Sequence, residues 1–287
     1  MESDKKVFEV EKKRFFLNTR QKTIFFISLS LLFVLYVFIH GSLITDDMLK
    51  INFMEKNLAP SWQHPFGTDA IGRDMYLRTI KGLNLSIRIG LIATFASLLI
   101  ASVFSIVLSV GGKKGDTFVT WLIDVFLSMP HMMFLILISV AVGKGLQGVI
   151  IGLALTHWTG LTRLIRAEIK QIKTENFISI SKALGKSPMW IAVKHIFPHL
   201  ISQVFVAMIL LFPHAILHEA GISFLGFGLS LSSPAIGIIL SESMKYLAQG
   251  YWWLAFFPGL MLVLIVLAVN AIGDNLKNMI DPYNYHD

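Results

Sequence analysis

His214, His218 and Glu219 form an i, i+4, i+5 cluster in this chain of 287 residues. Imidazole and carboxylate together suit nickel, cobalt or zinc. The local pattern supplies no third convergent ligand. His40, His64, His131, His157, His195, His199 and His286 are scattered and share no helical face. The cluster therefore reads as a polar cap where an apolar run reaches a membrane surface, and no metal site is expected. Other chemistry is missing from the chain. GGKKGD at 111–116 has neither the spacing nor the residues of a phosphate-cradling loop, and no H-E-x-x-H or G-x-S-x-G occurs. With no cysteine there is no thiol nucleophile, thiolate site or disulfide. No catalytic residue is expected, and no cofactor.

The elements that would position these groups are membrane spans. Hydrophobic residues make up 54% of the chain and charged residues 15%, against about a quarter charged in soluble domains. A helix needs about 20 apolar residues to cross the hydrocarbon core. Six runs approach or pass that length: Thr23–Ile39, Ile89–Val110, Val119–Val142, Leu146–Ile165, Leu200–Leu217 (extending toward Phe227) and Leu247–Gly273. The backbone must satisfy itself inside lipid, so an all-α integral membrane protein with six transmembrane helices is expected. Lys12, Lys13, Arg14, Arg20 and Lys22 precede the first run, but no small-x-small cleavage site follows, so it reads as an uncleaved anchor. The net charge of +7 lies between the spans, which is a topology signal and not a nucleic-acid footprint. Lys and Arg concentrate in residues 1–22, 112–118, 163–199 and 274–287. The positive-inside rule places these segments, and both termini, in the cytoplasm.

Few charges fall within the runs. Asp124 and Glu219 are the exceptions, and Asp124 is expected to pair with Lys113 or Lys114 or to reach the interface. So sparse a set of relay groups argues against a self-sufficient secondary transporter. Pro130, Pro213 and Pro258 should kink their helices, and Gly148 and Gly152 allow a close helix contact. Thr68 or Asp69 should cap a helix starting near Ala70, with Arg73 and Asp74 in local pairs. Gly221, Gly226 and Gly228 permit tight turns after the fifth span. Trp252 and Trp253 fit an aromatic belt.

The basic, amphipathic stretch from Arg163 to Leu200 is the largest segment expected in the cytoplasm. Thr174 or Asn176 should cap a helix running to about Leu184, with Gly185 as its terminator. A second helix is expected from Ser187 to Phe197, with Pro188 in its first turn and Pro198 opening the fifth span. Ile178, Ile180 and Leu184 supply apolar contacts that can fill a groove on a soluble partner.

This arrangement resembles the coupling loop of ABC importer permeases: Gly185 and Ile196-Phe197-Pro198 match its glycine and its Ile-x-Pro, while Ser179, Ile180 and Ser181 stand where Glu-Ala-Ala is usual. HPFGTDAIGRDMYLRTIKG at 64–82, DVFLSMP at 124–130, HEAGISFLGFGL at 218–229, FPG at 257–259 and GDNLKNMIDP at 273–282 resemble the C-type permease subunit of peptide and nickel importers. The resemblance implies the type I importer permease fold. A cytoplasmic tail (1–22) would precede a first span with its outer loop (23–84), a permease domain (85–280, with the coupling loop at 163–199) and a second tail (281–287). It implies a second homologous permease subunit, two cytoplasmic ATPase subunits that bind the ATP and Mg, an extracytoplasmic solute-binding protein, and a bacterial inner membrane. Glu175, Asn176, Phe177, Ile178, Lys182, Ala183, Leu184 and Gly185 are the expected ATPase contacts, and His214, His218 and Glu219 are candidates for a place near the solute path. Di- or oligopeptides are the expected solute class; nickel, cobalt or a metal–metallophore complex is the alternative. A membrane-embedded enzyme or assembly factor is the reading from another class.

Overall fold

The computed structural model describes residues 19–280. Among them lie ten α-helices: α1 Thr19–Leu43, α2 Met75–Val110, α3 Gly112–Leu127, α4 His131–Val142, α5 Gly145–Ile172, α6 Asn176–Ala183, α7 Pro188–Ile191, α8 Phe197–Phe224, α9 Ile236–Leu247 and α10 Trp253–Ile280. The described residues form no strand, only an isolated bridge between Thr68 and Asp74. Five helical stretches are long and apolar enough to span a bilayer, and α3 with α4 makes a sixth if the bent pair is one span.

α5 is the central helix, and α2 is its main neighbour. Ala93, Ser97, Ala101 and Ser105 recur every four residues on α2, and all are buried. Helices in lipid gain little from expelling water, so close packing of small residues brings them together. The serine hydroxyls would be costly there if bare. Ser97 and Ser105 donate to the carbonyls one turn back, at 2.9 and 2.7 Å, and Ser97 also reaches the Ala154 carbonyl on α5 at 3.3 Å. Gly148 and Gly152 do bring α5 close to α4: a Cβ on Gly148 would lie 2.6 Å from the Ser139 carbonyl.

Three expectations about the spans need correction. The run Val119–Val142 is no single rod: α3 and α4 meet at 88°. Pro130 precedes α4, and the three residues 128–130 leave the helical path, so proline there breaks the span where a kink was expected. The separate helix expected at Ser187–Phe197 instead joins the fifth span, giving one continuous helix from Pro188 to Phe224. Pro198 is tolerated because residues Ala192–Ile196 form a wide π-turn, in which the Phe197 N–H donates to the Ala192 carbonyl five residues back. The last span begins at Trp253 and not at Leu247, because α9 occupies the preceding residues. Helices α8 and α10 run on through Pro213 and Pro258.

The loop before α2 is held by charge. Asp74, and not Thr68 or Asp69, caps α2 by accepting the Leu77 N–H at 2.9 Å. Asp69 turns the backbone by accepting the Ile71 and Arg73 N–H groups, and its other oxygen takes Arg73 and Arg78 at 2.7 Å each. Arg78 also donates to Glu242 on α9 at 2.9 Å. Arg73 thus pairs with Asp69, while Asp74 meets His64 at 2.7 Å. Gly72 has a φ of +81°, and a Cβ there would fall 1.7 Å from the Asn52 carbonyl oxygen. Trp252 is exposed as an aromatic belt requires, but Trp253 turns inward against Gly67.

Candidate functional site

At the other end of α2 the chain presents α6. Its approach from α5 is fixed by two ties. Asp116 on α3 accepts both Arg166 nitrogens, at 2.6 and 2.9 Å, with Lys170 at 3.2 Å. Lys173 at the end of α5 donates to the Leu108 carbonyl of α2 at 2.7 Å, and burial, with Lys182 nearby, lowers its pKa. Asp124, the expected partner of Lys113 or Lys114, forms no ion pair with described residues and is exposed. Asp116 falls within GGKKGD, a stretch weighed in the sequence only as a phosphate-cradling motif, and lies on α3, which begins at Gly112.

Glu175, and neither Thr174 nor Asn176, is the N-cap of α6, without a side-chain hydrogen bond. The helix ends as expected at Gly185, whose φ is +75°. Its N–H donates to the Lys182 carbonyl and the Lys186 N–H to that of Ser181. This paired closure requires a left-handed residue at Gly185. Ser187 then caps α7 by accepting the Trp190 N–H at 3.2 Å.

The two faces of α6 differ. Ile178 is 0% exposed and belongs to one core with Ile172, Ile191 and Ile196. Ser181 faces the same way, its hydroxyl 3.1 Å from His195 Nε2. Phe177 is half-buried and stacks on His199. Ile178 is therefore a seat for the helix and is not free to touch a partner. On the outer face Ile180 is 60% and Leu184 71% exposed, and Asn176, Lys182, Ala183 and Gly185 are also exposed. Met189 and Val193 extend this bare apolar surface. Their exposure on the next helix was not foreseen, since the apolar pattern alone does not say which residues the core takes.

The expected trio of His214, His218 and Glu219 is split by the structure. Glu219 is fully buried and accepts the hydroxyls of Ser86 and Ser223, at 2.5 and 2.9 Å. Ser223 also accepts the Leu229 N–H, so Glu219 braces the turn that Gly226 makes with φ +82°. His218 points instead to His157 on α5 and His131 on α4, and one nitrogen from each of the three rings lies within 4.8 Å of the others. The other histidines share no one helical face, as expected, but His131 and His157 meet His218 because three separate helices carry the rings. His214 stays exposed.

Comparison with known proteins places this geometry. The model of the "Binding-protein-dependent transport system inner membrane component" family matches residues 93–283. The dipeptide transport system permease protein DppC of Bacillus subtilis (strain 168) is 32% identical over 253 residues, 88% of this chain and 79% of that one. The oligopeptide transport system permease protein OppC of the same organism is 31% identical, over 82% of this chain and 77% of the relative. Among solved structures, an inward-facing form of the MetNI methionine ABC transporter aligns with a TM-score of 0.59 at 21% identity, over 72% of this chain and 98% of that one, and so shares the fold. This chain belongs to the family of binding-protein-dependent transport system inner membrane components.

Proposed function

We propose that this chain forms half of the membrane pathway of an ATP-driven importer of peptides, and that α6 is where a cytoplasmic ATPase subunit grips it. The carrying observation is the bare outer face of α6, with Ile180 and Leu184 exposed while Ile178 anchors the helix beneath them. An amphipathic helix set in a groove is a recurrent way to join two proteins. Here the helix is stiff, closed by Gly185 and backed by a core, so a displacement of its partner moves the spans as a body. The residues proposed to touch the ATPase are Asn176, Ser179, Ile180, Lys182, Ala183, Leu184 and Gly185, with Met189 and Val193 beside them. ATP and Mg belong to two such ATPase subunits. A second homologous permease completes the pathway.

Both termini lie in the cytoplasm of a bacterial cell in this reading, which follows the Lys and Arg distribution. The loop before α2 then faces the extracytoplasmic binding protein. At its tip Met54 and Trp62 stand almost fully exposed on a base locked by Asp69 and Arg78. Peptides are the proposed solute class because the relatives DppC and OppC are named for dipeptide and oligopeptide transport.

Peptide-stimulated ATP hydrolysis by the reconstituted complex tests the proposal. Ile180→Asp and Leu184→Asp should each lower the stimulation at least tenfold while membrane insertion is unchanged. Full stimulation in both variants overturns the docking role.

A further inference from the structure

We propose that His131, His157 and His218 form a binding site for a late first-row divalent cation at the crossing of α4, α5 and α8. The inference rests on the geometry of the three rings and is independent of the peptide reading. The ring centroids are 4.6, 5.0 and 5.0 Å apart. His157 Nε2 and His218 Nδ1 are 3.0 Å apart. Two nitrogens bound to one ion at about 2.0–2.1 Å and at angles near 90–110° stand about 2.8–3.4 Å apart, so this pair already has the spacing of adjacent ligands.

The protonation pattern fits as well. His157 Nδ1 lies 2.9 Å from the Leu153 carbonyl oxygen, which can only accept. Nδ1 therefore carries the proton and Nε2 presents its lone pair, the arrangement in which a second contact fixes the tautomer of a metal-binding histidine. In the empty site His218 Nδ1–H donates to that lone pair. Binding requires His218 to carry its proton on Nε2 instead, a change of tautomer with no change of charge.

His131 supplies the third observation. Its Nε2 is buried and has no hydrogen-bond partner. A bare buried nitrogen is unfavourable, and an ion would satisfy it. His131 is the first residue of α4, immediately beyond the 88° break. His214 lies one turn before His218, exposed, where it can offer a fourth ligand or a path in.

The donor set also decides the class of ion. Glu219 is turned away and held by Ser86 and Ser223, and among the described residues no carboxylate joins the three rings. Magnesium and calcium require oxygen ligands, whereas neutral imidazoles suit zinc, nickel, copper or cobalt. The cation can arrive as the aquo ion or held by a small chelator, and both sources offer the same open coordination positions.

The test titrates the purified full chain in nanodiscs with cobalt(II) chloride, following the visible d–d bands, and with zinc(II) chloride, followed by dialysis and metal analysis. A parallel arm presents cobalt(II) as its complex with free histidine. One equivalent should bind in the wild type, with affinity falling at least 30-fold in His157→Gln and His218→Gln and remaining unchanged in His199→Gln. His131→Gln guards against misfolding, since its Nε2 makes no hydrogen bond to lose; it should elute like wild type yet bind at least tenfold more weakly. Binding in the chloride arm points to the bare ion, and binding only in the histidine arm to a chelate. Absence of stoichiometric binding in both arms, or equal binding by the triple Gln variant, overturns the site. Neither result bears on peptide-stimulated ATP hydrolysis, which reads the transport proposal separately.

Discussion

The two ends of α2 are fastened by different physics. The loop ahead of Met75 is held by charges that answer one another: Asp69 between Arg73 and Arg78, Arg78 between Asp69 and Glu242, Asp74 on His64. The helix near the far end, α6, is held mainly by packing, with Ile178 in the core and Phe177 on His199, helped by the Ser181–His195 contact and by its caps. A buried ionic knot fixes a position tightly but fails badly when one member is lost. An apolar seat fails by degrees. The loop is thus built to hold a shape, and α6 to sit firmly with its other face exposed.

Substitutions that strike each fastening separately break or sharpen that contrast. Arg78→Met removes the buried cation between Asp69 and Glu242, leaving them only Arg73, and should cost about 3 kcal/mol, read as thermal unfolding of the purified chain. A loss below about 1 kcal/mol would mean that the loop does not depend on the knot. Ile178→Ala empties the seat of α6 and should cost about 2–4 kcal/mol locally. Hydrogen exchange would show faster opening confined to residues 176–196 and an unchanged loop; equal acceleration in both regions would erase the distinction. Gly185→Ala puts a side chain at φ +75°, a strain of about 1 kcal/mol. It should fray α6 by the same readout without disturbing Ile178, and protection equal to wild type would show that the closure at Gly185 contributes little.

Much of the membrane architecture was legible in the chain because lipid imposes a length and a composition on every crossing. The runs near Thr23, Ile89, Leu146, Leu200 and Leu247 all became helices, and Gly185 ended α6 where a left-handed residue was needed. What escaped was decided by how helices meet. Ser128 to Pro130 announces a break but not a right angle. Ile178 and Ile180 look alike in the sequence, and only the rotation of α6 onto Ile172 and Ile191 sends one inward and the other out. His131, His157 and His218 are 26 and 61 residues apart, on three helices, so no local spacing foretold their meeting. Asp116 drew no notice because its partner Arg166 lies fifty residues on, on another helix.

The unbroken helix from Pro188 to Phe224 has 37 residues, about 55 Å at 1.5 Å per residue. Met189 and Val193 stand at one extremity and His218 near the opposite one. Such a beam does not absorb a push; it tilts. A nudge delivered where the first turn meets its neighbour arrives at the imidazoles as a sideways swing, with the slack turn at Ala192–Ile196 as the one spot near the handle able to bleed the motion away. A push at one end of this helix is therefore also a displacement at the other.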